Sequence, residues 1–140
     1  MILADVNLLV YAFREATPDH QQYRKWLIDQ LNGHQPFALN NTILSGFLRI
    51  VTHPKVFDVP ASLEEAVAFV SQLQSAPTAI SLSPGSRHWA IFVDLCRQIK
   101  AKGNAIPDAY LAAIAVEHGC HFYSADRGFA RFKGLRYSHP

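Results

Sequence analysis

Cysteine, methionine and charge are all scarce in this chain: 140 residues hold 2 Cys and 1 Met, and 17% are charged. Two cysteines, Cys96 and Cys120, make no disulfide framework, and nothing else points to an oxidising compartment, so both read as reduced. No apolar run approaches the roughly 18 residues of a membrane helix. The run Ala109–Val116, for example, is closed by Asp108 and Glu117. Met1 leads straight to Asp5 without a basic stretch, so no secretory signal is expected and the default compartment is the cytoplasm. Also missing are the Gly-x-x-x-x-Gly-Lys phosphate loop, the Gly-x-Gly-x-x-Gly fingerprint and the Gly-x-Ser-x-Gly elbow. Nucleotide cofactors and serine-hydrolase chemistry are therefore not expected. His118, Cys120 and His121 find no second Cys/His pair at zinc spacing, and read as structural.

What is present is an ordinary globular composition, 49% hydrophobic with 7 Gly and 8 Pro, which excludes disorder, collagen and coiled coil. The net charge of +2 is unevenly spread. Eight Lys/Arg face four acids from Arg87 to Arg136, while five basic and seven acidic residues precede Arg87. A basic C-terminal half can attract a polyanion, and a solvated surface of mixed charge explains it equally well.

Short apolar segments at Met1–Ala4, Pro36–Leu39, Ala79–Leu82, Cys120–Ser124 and Leu135–Tyr137 read as strands. Helical patterns lie between them. Val6–Phe13 is one, and Thr17 with Pro18 opens a second that carries Tyr23, Trp26, Leu27 and Leu31 inward. Asn41 or Thr42 caps a third, which Pro54 stops. Ser62-Leu-Glu-Glu65 is a capping box ahead of a stripe of Leu63, Ala66, Val67, Val70 and Leu73. Trp89, Phe92, Val93, Cys96 and Ile99 form the next, with Trp89 expected in the core. Pro107–His118 ends at Gly119. The alternation predicts one α/β domain over residues 1–140, a twisted parallel sheet of 4–5 strands with helices on both faces.

Three acids stand where such a sheet binds ligands. Asp5 follows the first strand, Asp126 lies two residues after Ser124 at the end of the fourth, and Asp108 opens a helix. Each has a structural role available: Asp5 as a cap, Asp108 as a first-turn acid, Asp126 as part of a turn. Gathered in one crevice, three carboxylates would repel one another unless a cation neutralised them. An all-oxygen set of this kind suits Mg²⁺ or Mn²⁺, and such an ion activates water against a phosphate ester.

The segments around these acids resemble the motifs of PIN-domain nucleases. They are Asp5-Val-Asn-Leu-Leu-Val-Tyr-Ala12, Pro107-Asp-Ala-Tyr-Leu-Ala-Ala-Ile-Ala115 and Tyr123-Ser-Ala-Asp-Arg-Gly-Phe129. Gly46-Phe-Leu-Arg-Ile-Val-Thr-His-Pro-Lys-Val-Phe57 and Arg87-His-Trp89 look like a VapC subgroup. The resemblance implies a VapC-type toxin, a Mg²⁺-dependent endoribonuclease acting on tRNA or rRNA, usually dimeric and silenced by a VapB-like antitoxin. It further implies that Asp5, Asp108 and Asp126 are metal-binding, with Asn7 and Ser124 as supporting polar residues. For those two, a plain helix-start or turn role is equally open.

One departure stands out. Many PIN domains place a Glu three residues before the arginine that is Arg49 here, and this chain has Gly46. Glu117 is a poor replacement, because nine residues past Asp108 puts it on the opposite helix face. Glu64, Glu65 and Asp94 remain open as a fourth acid. A Glu side chain at position 46 is expected to fit, near a helix start. Two other classes compete with the nuclease: a PIN-fold module that binds RNA or antitoxin without efficient cleavage, and a receiver domain. The receiver lacks its acidic pair, since Asp5 stands alone, and has no acid at Leu82-Ser-Pro84. Trp89, beside Arg87 and His88, also admits a reading as a base-stacking residue.

Overall fold

The computed structural model describes all 140 residues. Five short strands, β1 (Ile2–Ala4), β2 (Phe37–Leu39), β3 (Ala79–Ser81), β4 (His121–Tyr123) and β5 (Arg136–Ser138), form one sheet in the order β3-β2-β1-β4-β5. Every pairing is parallel. Parallel neighbours need crossovers, and six helices supply them: α1 (Val6–Phe13), α2 (His20–Leu31), α3 (Asn41–Val51), α4 (Leu63–Ser75), α5 (His88–Ile99) and α6 (Ala105–His118). From β1 the chain winds outward to β2 and β3, then returns across the sheet to β4. Right-handed crossovers in opposite directions put helices on both faces. A 3-10 helix, Arg127–Arg131, links β4 to β5.

The core is nearly continuous apolar sequence. Ile2, Leu3 and Ala4 are all buried, as are Phe37, Ala38 and Leu39, because a strand covered on both faces has no solvent side. The central helix α6 buries Ala109 and Leu111–Ala115, and Ala109, Ala112, Ala113 and Ala115, all at 0% exposure, admit close neighbours on every side.

Several details differ from the sequence reading. Thr17 caps no helix: its hydroxyl donates to the carbonyl of Arg14 (2.6 Å), closing the turn after α1. The next helix starts only at His20, behind Asp19 in the left-handed region. Asn40, rather than Asn41 or Thr42, caps α3, its Oδ1 accepting from Thr42 N (2.9 Å) while its amide donates to Leu82 O. Ser62 does cap α4 through Glu65 N, but Leu63 and Val67 are exposed, and Ala66 and Leu73 carry the buried contact. Trp89 is not in the core; it is 69% exposed. The buried line of α5 is His88, Phe92 and Leu95, one residue round from the predicted stripe. His88 can lie inside because its Nε2 meets the carbonyl of Tyr110 at 3.0 Å.

Candidate active site

In a parallel sheet every strand ends at the same edge, and the chain's reversal opens a crevice there between β1 and β4. Ala4 pairs with Tyr123, so the residues leaving these strands, Asp5 and Ser124, lie side by side. The backbone N–H of Asp5 donates to Tyr123 O at 2.9 Å and fixes the junction.

Asp5 is 8% exposed and caps α1, its Oδ1 accepting from Val6 N at 2.7 Å. Its Oδ2 accepts the hydroxyl of the fully buried Ser124, also at 2.7 Å. That hydroxyl in turn accepts from Asp126 N (3.0 Å) and from Asn7 Nδ2 (3.3 Å). Asn7 Oδ1 accepts from Ala125 N. A serine hydroxyl has one proton and two acceptor positions, and all three are committed. Ser124 and Asn7 thus stitch the start of α1 to the loop after β4, and so set Asp5 and Asp126 at a fixed separation.

Asp126 is exposed and caps the 3-10 helix, Oδ1 accepting from Gly128 N at 2.8 Å. Gly128 permits that contact, since a Cβ there would stand 3.0 Å from the same oxygen. Asp108 sits in the first turn of α6, with Arg131 Nη2 at 3.5 Å from its Oδ2. The arginine comes from the 3-10 helix. Sequence reasoning missed it, because a pattern read only as a turn gives no direction to the residue five places after Asp126.

The charges of Asp108 and Asp126 bear on Asp5, and that of Asp126 on Asp108. Burial pushes the Asp5 carboxyl above the ordinary range; Ser124 and Val6 pull it back, and the charges of Asp108 and Asp126 push it up again. Asp108 is raised by burial and then by Asp126, against the pull of Arg131. No three His, Cys, Asp or Glu side chains are spaced to enclose an ion directly.

Other candidates fall elsewhere. Glu117 is tied to Gly85 N (2.7 Å) and Arg87 N (2.9 Å), where it anchors the approach to α5. Asp94 accepts from Gln98, and Glu64 and Glu65 lie in the first turn of α4. His118, Cys120 and His121 form no metal group; His118 meets Ser83 O, and His121 meets Ser138. Gly46 is in mid-helix rather than near a helix start, and it is tighter than expected. A Cβ there would come 3.2 Å from Cγ2 of Val6.

Residues 2–135 match the PIN domain family model. The chain is 46% identical over 140 residues to Ribonuclease VapC43 of Mycobacterium tuberculosis, covering 100% of this chain and 95% of that protein. It is 41% identical over 140 residues to Ribonuclease VapC25 of the same organism, covering 100% and 99%. Among solved structures, VapBC2 of Rickettsia felis, bound to a DNA fragment from their promoter, superposes with a TM-score of 0.72 at 17% identity. That match covers 99% of this chain and 98% of the other, and it is a likeness of fold.

Proposed function

We propose a function from one premise: this chain belongs to the PIN-domain family, and within it to the VapC ribonucleases. It is the toxin of a VapBC-like pair, an endoribonuclease that hydrolyses phosphodiester bonds of structured RNA, tRNA or rRNA, in the cytoplasm. The observation that carries this reading is the trio Asp5, Asp108 and Asp126 at the switch point of the sheet, where the charges of Asp108 and Asp126 bear on Asp5 and that of Asp126 on Asp108.

The residues fit a hard divalent cation. All three donors are carboxylate oxygens, and their mutual repulsion is relieved by positive charge. An all-oxygen donor set suits Mg²⁺, with Mn²⁺ as a substitute, because such ions keep several waters and take only a few protein ligands. When bound, the ion lowers the pKa of a coordinated water and stabilises charge on the attacked phosphate. The chain's own contribution is positional. Ser124 and Val6 fix both oxygens of Asp5, Gly128 fixes one oxygen of Asp126, and Asn7 holds the two loops in register. Arg131 supplies a cation beside Asp108 that can meet an RNA phosphate.

A VapB-like antitoxin silences this site by placing a basic side chain against the acids, where it replaces the metal's charge. The toxin acts as a homodimer. A second reading draws on Gly46, which leaves the site one acid short of the usual pattern: a module that binds RNA or antitoxin without cutting. Expression without the neighbouring small reading frame separates the two. The ribonuclease arrests growth, Asn at Asp5, Asp108 or Asp126 relieves the arrest, and the neighbouring product binds and inhibits. Undiminished arrest in all three variants would overturn the site assignment.

A further inference from the structure

A cavity of about 480 Å³ opens among α1, α3, α5 and α6, within the size range of small-ligand sites. Its walls include Val6 and Pro107, the chain neighbours of Asp5 and Asp108, so it lies at the same two helix starts as these acids, although neither carboxylate lines it. Phe92, Ile106 and Tyr110 give it an apolar, aromatic side, and Arg49 lines the opposite helix, α3. Arg49 is exposed, and no hydrogen bond or ion pair within the protein occupies its side chain. Gly46 lines the same wall, where any side chain would take up space.

The aromatic side continues outward. Tyr110 and Phe92 pack edge to face with ring centroids 5.5 Å apart, and Trp89 follows at 5.4 Å from Phe92, exposed and without a structural role in the core. Beyond Phe92 and Ile106 the surface is lined by Arg97 and Lys100. No acid lines either hollow. An exposed Trp89 beside an aromatic-walled cavity, with unpaired cations around both, complements one kind of ligand best, an unstacked base with its phosphates.

We infer that this cavity receives a nucleobase of the RNA next to the scissile phosphate, with Arg49 on the adjoining phosphate and Trp89 stacking the following base. The assignment rests on the ribonuclease reading above, and it makes Arg49 and Trp89 specificity-determining residues outside the acid site. Both are exposed, so their removal leaves the core untouched.

The test is binding to Asp5→Asn protein, followed by fluorescence of a single-stranded oligoribonucleotide carrying 2-aminopurine. The base is quenched on binding. Trp89→Ala weakens binding about tenfold with an unchanged salt dependence, as expected for one lost stack. Arg49→Ala instead lowers the slope of log K against log salt by about one phosphate contact, and Arg49→Lys restores it. Parent-like affinity and slope in both Ala variants would overturn the proposal. So would unchanged RNA binding with loss of the co-expressed antitoxin, which would make the cavity a protein-docking site. An Asp5→Asn protein that still cut the strand would sink the acid-site reading, while the quenching alone would continue to support the cavity's occupant.

Discussion

Replacing Ser124 by alanine probes the least replaceable polar group of the site. Its hydroxyl is fully buried and makes three hydrogen bonds, donating to Asp5 and accepting from Asp126 N and Asn7. A hydrogen bond to a charged group contributes about 1.5–3 kcal/mol, and a neutral one about 1 kcal/mol. Ser124→Ala should therefore cost about 3 kcal/mol near neutral pH, allowing for partial relaxation, or roughly 10 °C in Tm for a domain of this size. The cost has a definite sign with pH. The lost bond belongs to the ionised carboxylate, so without it Asp5, already raised by burial, rises further. The deficit is full where Asp5 is ionised in both proteins, and it shrinks as pH falls and the carboxyl takes up its proton. Thermal unfolding of metal-free protein between about pH 4 and pH 8 reads both effects. A loss below about 0.5 kcal/mol, or one independent of pH, would refute the role given to this hydroxyl.

Further outcomes follow from the same geometry. Because burial and mutual repulsion raise Asp5 and Asp108, their ionisation destabilises the metal-free fold as pH rises above the ordinary carboxylate range. Mn²⁺ should therefore raise Tm more near pH 7 than near pH 4, roughly, as thermal scans at fixed ion concentration will show. Arg131→Ala removes a half-exposed ion pair worth about 1 kcal/mol at most, so Tm should barely move, yet the ion should bind several-fold tighter in isothermal titration. Gly46→Glu gains up to about 1 kcal/mol of helix propensity and strengthens Mn²⁺ binding in the same titration. Its Cβ crowds Val6, so the gain in Tm should be complete only when Val6→Ala accompanies it.

Much of this architecture is legible without coordinates. Apolar strands that carry no alternation announce a sheet covered on both faces, and Asp5, Ser62 and Gly119 punctuate helices through short-range chemistry. The misreadings come from long-range partners. His88 is polar, so an apolar stripe passes over it and takes Trp89 in its place; only the Tyr110 carbonyl makes His88 a core residue. Leu63 and Val67 match the period of a buried face, but α4 lies over the outer strand β3, where the sheet covers little of it. At the site, strand ends locate Asp5 and Asp126. The Ser124 hydroxyl network, the Arg131–Asp108 pair and the contact of Gly46 with Val6 join residues far apart in sequence, and spacing does not encode them.

The most direct test of the central claim is cleavage of total bacterial RNA by purified protein, with and without Mg²⁺. Wild type is compared with Asp5→Asn, Asp108→Asn and Asp126→Asn, each checked for native circular dichroism. The account predicts discrete cleavage products only with wild type and only with the ion present. Products that persist in chelator, or that survive in any folded Asn variant at the wild-type rate, would contradict it.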